Sequence, residues 1–426
     1  MTIKISQAHT LLFEKNKPII KVCDVYLQAD RLAAIISDHR TPAPFSPTKT
    51  IDGQGKLLLP GLINGHTHAY MTILRHYADD LPFHDWLFKK IIPRENKMTE
   101  KDAYWSTMLA CAEMLLTGTT CFLDMHMFPN AVAQAVIDSG MRAVLSRGLV
   151  GGSNPDGQKR LQQAEAEISQ YQNHPRLSFM YAPHAIYTCD QELLQLSRTL
   201  ANQKNLSLHL HLSESLQEIA DCFAQHSCSP VEYLDRLGIF QGKTTIAHGV
   251  HLSQTDIKIL KKNQVNVVHN PTSNLKLGNG IAPLPALLEA KINVCLGTDS
   301  AASNNALDIF HEMNLAALIH KGHLKDAQAI PASTVIKMAT INGSQALDLA
   351  TQIGQIKVGY QADLILIDMN QTSFYPRQNL LASLCYSPPT QKVDTVIING
   401  QIVVEQNKPT LFDLQEVYAR LDEIKL

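Results

Sequence analysis

Hydrophobic and polar positions change their rhythm twice along the chain. Up to about residue 55 the apolar residues fall in short β-prone pieces, Ile19-Ile20-Lys21-Val22 and Arg31–Ile36, separated by polar residues and turns. The middle then alternates. Eight short apolar runs are predicted as strands: Leu57–Ile63, Thr119–Asp124, Arg142–Leu149, Leu177–Pro183, Leu206–Leu212, Thr244–Ala247, Val265–Val268 and Ile292–Leu296. Between them lie segments apolar at helical spacing, such as Lys101–Leu116, Gln158–Gln170 and Gln191–Lys204. The β texture returns at the far end, in Ala362–Asp368 and in Thr395–Val404, where Asn399-Gly400 is a strong hairpin turn signal.

Strands alternating with helices predict an α/β fold, a (β/α)8 TIM barrel, with an open parallel sheet as the second choice. The two β-rich ends predict a second, small β-sandwich domain built from both termini. The expected division is residues 1–55 with 360–426 for that domain, and 56–359 for the barrel. A length of 426 residues suits a barrel of about 250 residues plus one smaller domain.

Composition narrows the function classes. With 45% hydrophobic and 18% charged residues the chain can bury a large core. A net charge of −2 gives no basic footprint for nucleic acid and no polybasic patch for a membrane. No stretch approaches the roughly 18 apolar residues of a membrane span, and Met1–Asn16 has no apolar run of the signal-peptide kind. The eight cysteines never form a C-x-x-C pair, which predicts reduced, buried thiols. A cytoplasmic protein, with assembly into a homo-oligomer compatible with the sequence, is the expectation.

The chemistry lies where a barrel would put it. Reactive side chains in this architecture sit at the C-terminal ends of strands. His66 and His68 follow the first predicted strand, His184 the fourth, His211 the fifth, His248 the sixth, His269 the seventh and Asp299 the eighth. Any one of these is as readily a core histidine, and His209, two residues before His211, illustrates that. Their joint placement points to a metal site. Imidazoles plus one carboxylate suit zinc or iron with an open position for water. Glu214, three residues past His211, is placed to serve as the acid/base group such a reaction needs; alone it would read as a solvated glutamate near a helix start.

These residues carry a resemblance. Pro60-Gly61-Leu62-Ile63-Asn64-Gly65-His66-Thr67-His68, His211-Leu212-Ser213-Glu214, Ala247-His248-Gly249 and Gly297-Thr298-Asp299 resemble the strand-end motifs of the amidohydrolase superfamily. Tyr181-Ala182-Pro183-His184, the run His269–Gly280 and Asp299–Asn305 are similar to those of the 5-methylthioadenosine/S-adenosylhomocysteine deaminases, although the run after His269 is shared with triazine chlorohydrolase-like enzymes. The resemblance implies one divalent ion, zinc or alternatively iron, on His66, His68, His211 and Asp299, since His184 stands where two-metal relatives carry a lysine. It implies that Asp299 takes a proton from the attacking water and that His248 orients that water. Glu214 would protonate a purine ring nitrogen, and His184 would hydrogen-bond the purine. Glu95 would meet the ribose hydroxyls, Trp86 the 5′ substituent, and Arg147, with Lys159 or Arg160, an amino-acid carboxylate. Asp299-Ser300 departs from the more usual Asp-Gly pair.

The implied reaction is hydrolytic deamination of an adenosine-type nucleoside, 5′-methylthioadenosine or S-adenosylhomocysteine. Guanine deamination, triazine hydrolysis and a catalytically silent nucleoside-binding barrel are the alternatives. The H-x-E with P-C-x-x-C pattern of the cytidine-deaminase type is absent.

Overall fold

Eight parallel strands line up in sequence order from Leu62–Thr67 to Val294–Leu296, each hydrogen-bonded to its sequence neighbour. The computed structural model that shows this describes residues 1–38, 40–152, 154–387, 389 and 393–425. The intervening strands are Thr119–His126, Arg142–Leu149, Leu177–Pro183, Ser207–Leu212, Thr244–His248 and Asn266–His269. Helices such as Glu100–Leu116, Pro129–Ser139, Pro155–Tyr171 and Gln191–Gln203 connect them. At the seam, Asp299 N–H donates to the His66 carbonyl at 3.0 Å, tying the chain beyond the eighth strand to the first. This is the expected (β/α)8 barrel.

Both termini supply the second sheet, a mixed one of nine strands. Its central strand Leu364–Asp368 reads Leu-Ile-Leu-Ile because it is covered on both faces. Leu364 and Leu366 join a core formed with Ile3, Val25 and Leu32. The alternate residues Ile365 and Ile367 pack with the barrel's core instead. The Asn399-Gly400 hairpin is present, with φ of 53° and 74°, the left-handed pair a two-residue turn of this kind needs.

Two elements differ from expectation. Leu57–Ile63 is not one strand. Lys56–Pro60 belongs to the mixed sheet, paired with Leu364–Asp368, and Leu62–Thr67 opens the barrel. Gly61 is the joint. Its N–H donates to the Asp363 carbonyl at 2.9 Å, and a Cβ there would stand 1.9 Å from Thr120 Oγ1. The N-terminal pieces are longer than predicted: Thr2–Glu14 and Lys17–Gln28 form a hairpin turning at Lys15 and Asn16, with φ of 47° and 64°. A lysine at a positive φ gives no turn signal.

A buried ion pair joins the two sheets. Arg142, on the third barrel strand, donates to Asp363 at 2.6 and 3.1 Å and to the Pro175 carbonyl at 3.1 Å. Removing one partner strands the other charge out of water. Arg142→Ala is expected to cost about 3–5 kcal/mol in chemical denaturation; a loss below about 1 kcal/mol would show that solvent reaches Asp363. The eight cysteines are all free and buried. Among the described residues no helix is long and apolar enough to cross a membrane.

Candidate active site

The C-terminal ends of the barrel strands bring His66, His68, His211, His248 and Asp299 together. His66 and His68 share one face of the first strand because alternate residues of a strand point the same way. His248 and Asp299 have φ of 75° and 59°. Non-glycine residues in the left-handed region are sterically costly and cluster where a fold fixes reactive groups.

Asp299 Oδ1 lies 3.3 Å from His66 Nε2 and 3.4 Å from His68 Nε2. His68 Nε2 and His211 Nε2 are 3.2 Å apart. Ligand-capable atoms of His66, His68 and Asp299 lie within 4.8 Å of one another, as do those of His66, His211 and His248.

The outer nitrogens decide the tautomers. His68 Nδ1 donates to the Met125 carbonyl at 2.7 Å and His211 Nδ1 to the His184 carbonyl at 2.9 Å. His209 Nδ1 donates to the Thr245 carbonyl at 3.2 Å, so its Nε2 accepts from His66 Nδ1 at 2.8 Å. Each of the three imidazoles, when neutral, therefore turns a lone pair on Nε2 into the same space. His66 Nε2 is buried with no hydrogen-bond partner. Burial also favours the neutral form: it pushes His66 down to about 4 and His211 well below the usual histidine range. Lone pairs converging beside a carboxylate repel unless a cation sits among them, so the residues fit a metal ion.

Asp299 is held in its charged form. Burial would raise its carboxyl, but the neighbouring His66, His248 and His68 hold it well below the carboxylate range. Ser273 and Ser303 donate to its Oδ2 at 2.7 and 2.8 Å, leaving Oδ1 for the cluster. Glu214 shows the opposite shift. Burial, helped by the nearby Asp299 charge, pushes it well above the carboxyl range, against one hydrogen bond from Asn279 at 2.9 Å. Its Oε2 is 3.7 Å from His248 Nε2. Two carboxyl groups driven apart in this way suit a base and an acid.

A cavity opens from this centre. His68, His184, His211, Glu214, His248 and Asp299 form its floor, and Trp86, Glu95 and Arg160 stand on its wall. Trp86 comes from a π-helical turn, Asp85–Ile91, a geometry frequent at functional sites. Glu95 follows in the next turn and accepts a short hydrogen bond from Tyr70. His184 Nδ1 bonds Thr188 Oγ1 at 2.9 Å.

Arg147 is not brought to the wall. Its guanidinium is buried behind, donating to Gln163 at 3.0 Å and to the Gly148 carbonyl at 2.8 Å. Burial and the neighbouring Arg160 push it down to about 10. Of the two candidates for a second basic group, Arg160 lines the cavity and Lys159 is exposed. The sequence motifs assign no role to Tyr70, Ser273, Asn279 or Ser303, and His209 reads as readily as a core histidine. Ser273 and Asn279 lie in the run after His269, whose motif could have flagged them.

Comparison with known proteins agrees with this arrangement. Residues 57–403 match the amidohydrolase family. The chain is 39% identical over 426 residues to a 5-methylthioadenosine/S-adenosylhomocysteine deaminase from Thermoanaerobacter pseudethanolicus, covering 99% of this chain and 98% of the relative. It is 44% identical over 376 residues to one from Syntrophomonas wolfei, covering 88% and 87%. The crystal structure of an adenosine deaminase from Xanthomonas campestris with bound zinc superposes with a TM-score of 0.94, at 32% identity, covering 99% of this chain and 97% of that one. The chain belongs to the amidohydrolase family, among the 5-methylthioadenosine/S-adenosylhomocysteine deaminases.

Proposed function

We propose that this enzyme hydrolytically deaminates an adenosine-type nucleoside, with 5′-methylthioadenosine and S-adenosylhomocysteine as substrates. The observation that carries the reading is Glu214, a buried carboxyl that lines the same cavity as the metal-ligand cluster and that burial pushes well above the usual carboxyl range. His66, His68, His211 and Asp299 would hold one divalent ion. Zinc is our assignment, on the donor set and the zinc found in the similar Xanthomonas enzyme, and iron(II) suits the same donors. When bound, the ion supplies the Lewis acidity that makes water nucleophilic at neutral pH.

The protein's residues then divide the proton work. Asp299 Oδ1 accepts a proton from the attacking water, with Oδ2 pinned by two serines. His248 directs Nδ1 to the Asn274 amide oxygen at 2.9 Å, which leaves Nε2 to accept a hydrogen bond from that water. Glu214 gives its proton to the purine ring nitrogen as water adds at the neighbouring carbon. Asp299 then passes the proton it took from the water to the exocyclic amine, the carbon–nitrogen bond breaks, ammonia leaves, and the proton of the added hydroxyl returns to Glu214 as the ring carbonyl forms. His184 hydrogen-bonds the base, Glu95 accepts from the ribose hydroxyls, and Trp86 packs on the 5′ group. Eight buried free thiols suit a reducing compartment, and we place the enzyme in the cytoplasm.

Ammonia release from methylthioadenosine, with the ultraviolet shift from adenine to hypoxanthine, tests the reading; activity confined to guanine or triazines would sink it. A second measurement addresses the tail. Arg160 is the guanidinium on the wall, so Arg160→Ala is expected to lower kcat/KM on S-adenosylhomocysteine about 10-fold or more, the worth of a charged hydrogen bond. Methylthioadenosine, which has no carboxylate, should change by less than about 2-fold on the same reasoning. Equal losses on both would mean that Arg160 reads no carboxylate.

A further inference from the structure

Among the described residues, four helices begin with a capping serine or threonine and an acidic residue three positions later. In three of them, at Thr99/Asp102, Ser229/Glu232 and Ser253/Asp256, the acid reaches back to the cap's own N–H, the reciprocal pair of a capping box. The fourth, Leu216–His226, has the same spelling, Ser215 with Glu218, and a different geometry. Ser215 Oγ accepts from Glu218 N–H at 3.2 Å as usual. The Glu218 carboxylate passes the cap by. Its Oε1 accepts from Ser213 N–H at 2.9 Å and its Oε2 from Glu214 N–H at 2.8 Å.

Those two peptide groups form the turn that carries Glu214. Ser213 has a φ of 53°, and its carbonyl accepts from Val250 and His251 N–H, both at 2.9 Å, in the turn after His248. The turn is thus held by its carbonyl from the sixth strand end and by its N–H groups from Glu218. Glu218 is buried and lies outside the cavity's lining. Buried carboxylates occur in the ordinary boxes too, as at Asp256, but a plain helix cap makes no bonds to residues upstream of the cap.

We infer that Glu218 is a positioning residue for the reaction: by clamping the N–H groups of Ser213 and Glu214 it aims the Glu214 side chain at the substrate's ring nitrogen. The inference rests on the proton-donating role proposed for Glu214. Glutamine at 218 keeps one acceptor oxygen but presents an NH2 group to the other peptide N–H, so the turn loses one of its two anchors.

The test uses the zinc-loaded enzyme and methylthioadenosine, with Glu232→Gln as the control from an ordinary capping box. Glu218→Gln is expected to lower kcat about 10- to 100-fold, the scale of a small misplacement of a reacting group, with KM and zinc content unchanged. Glu232→Gln should lose similar thermal stability and keep its kcat. Added to Glu214→Gln, the second change at 218 should cost nothing more, because its effect passes through Glu214. Should the glutamine variant fail to fold, Glu218→Asp keeps the charge with a shorter reach, and the same loss in kcat alone is expected of it. Wild-type kcat in a folded Glu218 variant, or a kcat loss that tracks lost zinc, overturns the inference. Failure of the wild-type enzyme to release ammonia from any nucleoside overturns instead the function on which it rests.

Discussion

Glu214→Gln should retain its metal and lose about 10³-fold in kcat, the middle of the range for a general acid and about 4 kcal/mol of barrier. Glutamine has nearly the shape of glutamate and can still accept the Asn279 hydrogen bond that Glu214 accepts. It cannot give up a proton. In the wild-type enzyme burial holds Glu214 above the carboxyl range, so the protonated form persists to higher pH than an exposed glutamate would allow. The rate should therefore fall as pH rises through that elevated value, and the variant should lack this alkaline limb. Zinc analysis beside a pH–rate profile checks both halves. A variant within 10-fold of wild type would remove Glu214 from the proton path, since even the weakest general acids are worth about 10²-fold.

Much of this centre was legible in the chain because its logic is local. A strand's period of two puts His66 and His68 on one face, and the barrel rule puts His211, His248 and Asp299 at the same end. The strands Arg142–Leu149 and Leu177–Pro183 match their predicted bounds. What was not legible depends on contacts across the fold. Leu57–Ile63 reads as one strand, and only the approach of Thr120 to Gly61 shows why it must break. Arg147 sits in a motif that suggests the substrate, yet Gln163 and nearby carbonyls claim its guanidinium. His209 looks like filler until its acceptor, the Thr245 carbonyl, fixes the tautomer of His66. Glu218 spells a capping box and does something else.

Asp299 should show the largest effect, because it combines two roles that can be separated. Asp299→Asn replaces the charged ligand by a neutral one and also removes the proton acceptor. At limiting zinc the variant is expected to bind the ion weakly and to lose at least about 10⁴-fold in kcat, the upper range for a single acid–base group. Ion binding stabilises the folded state by mass action, so chelation should lower the thermal midpoint of the wild type and barely move that of the variant. Raising zinc should then refill the site through His66, His68 and His211, whose lone pairs the variant leaves in place. Turnover should not return with it, since the amide cannot accept the proton that Asp299 Oδ1 takes. Recovery of kcat to within about 10-fold of wild type at saturating zinc would mean that Asp299 serves as a ligand alone, because a proton acceptor is worth more than that. The water's proton would then have to leave through another group in reach, and His248 is the neighbour whose Nε2 is free to take it.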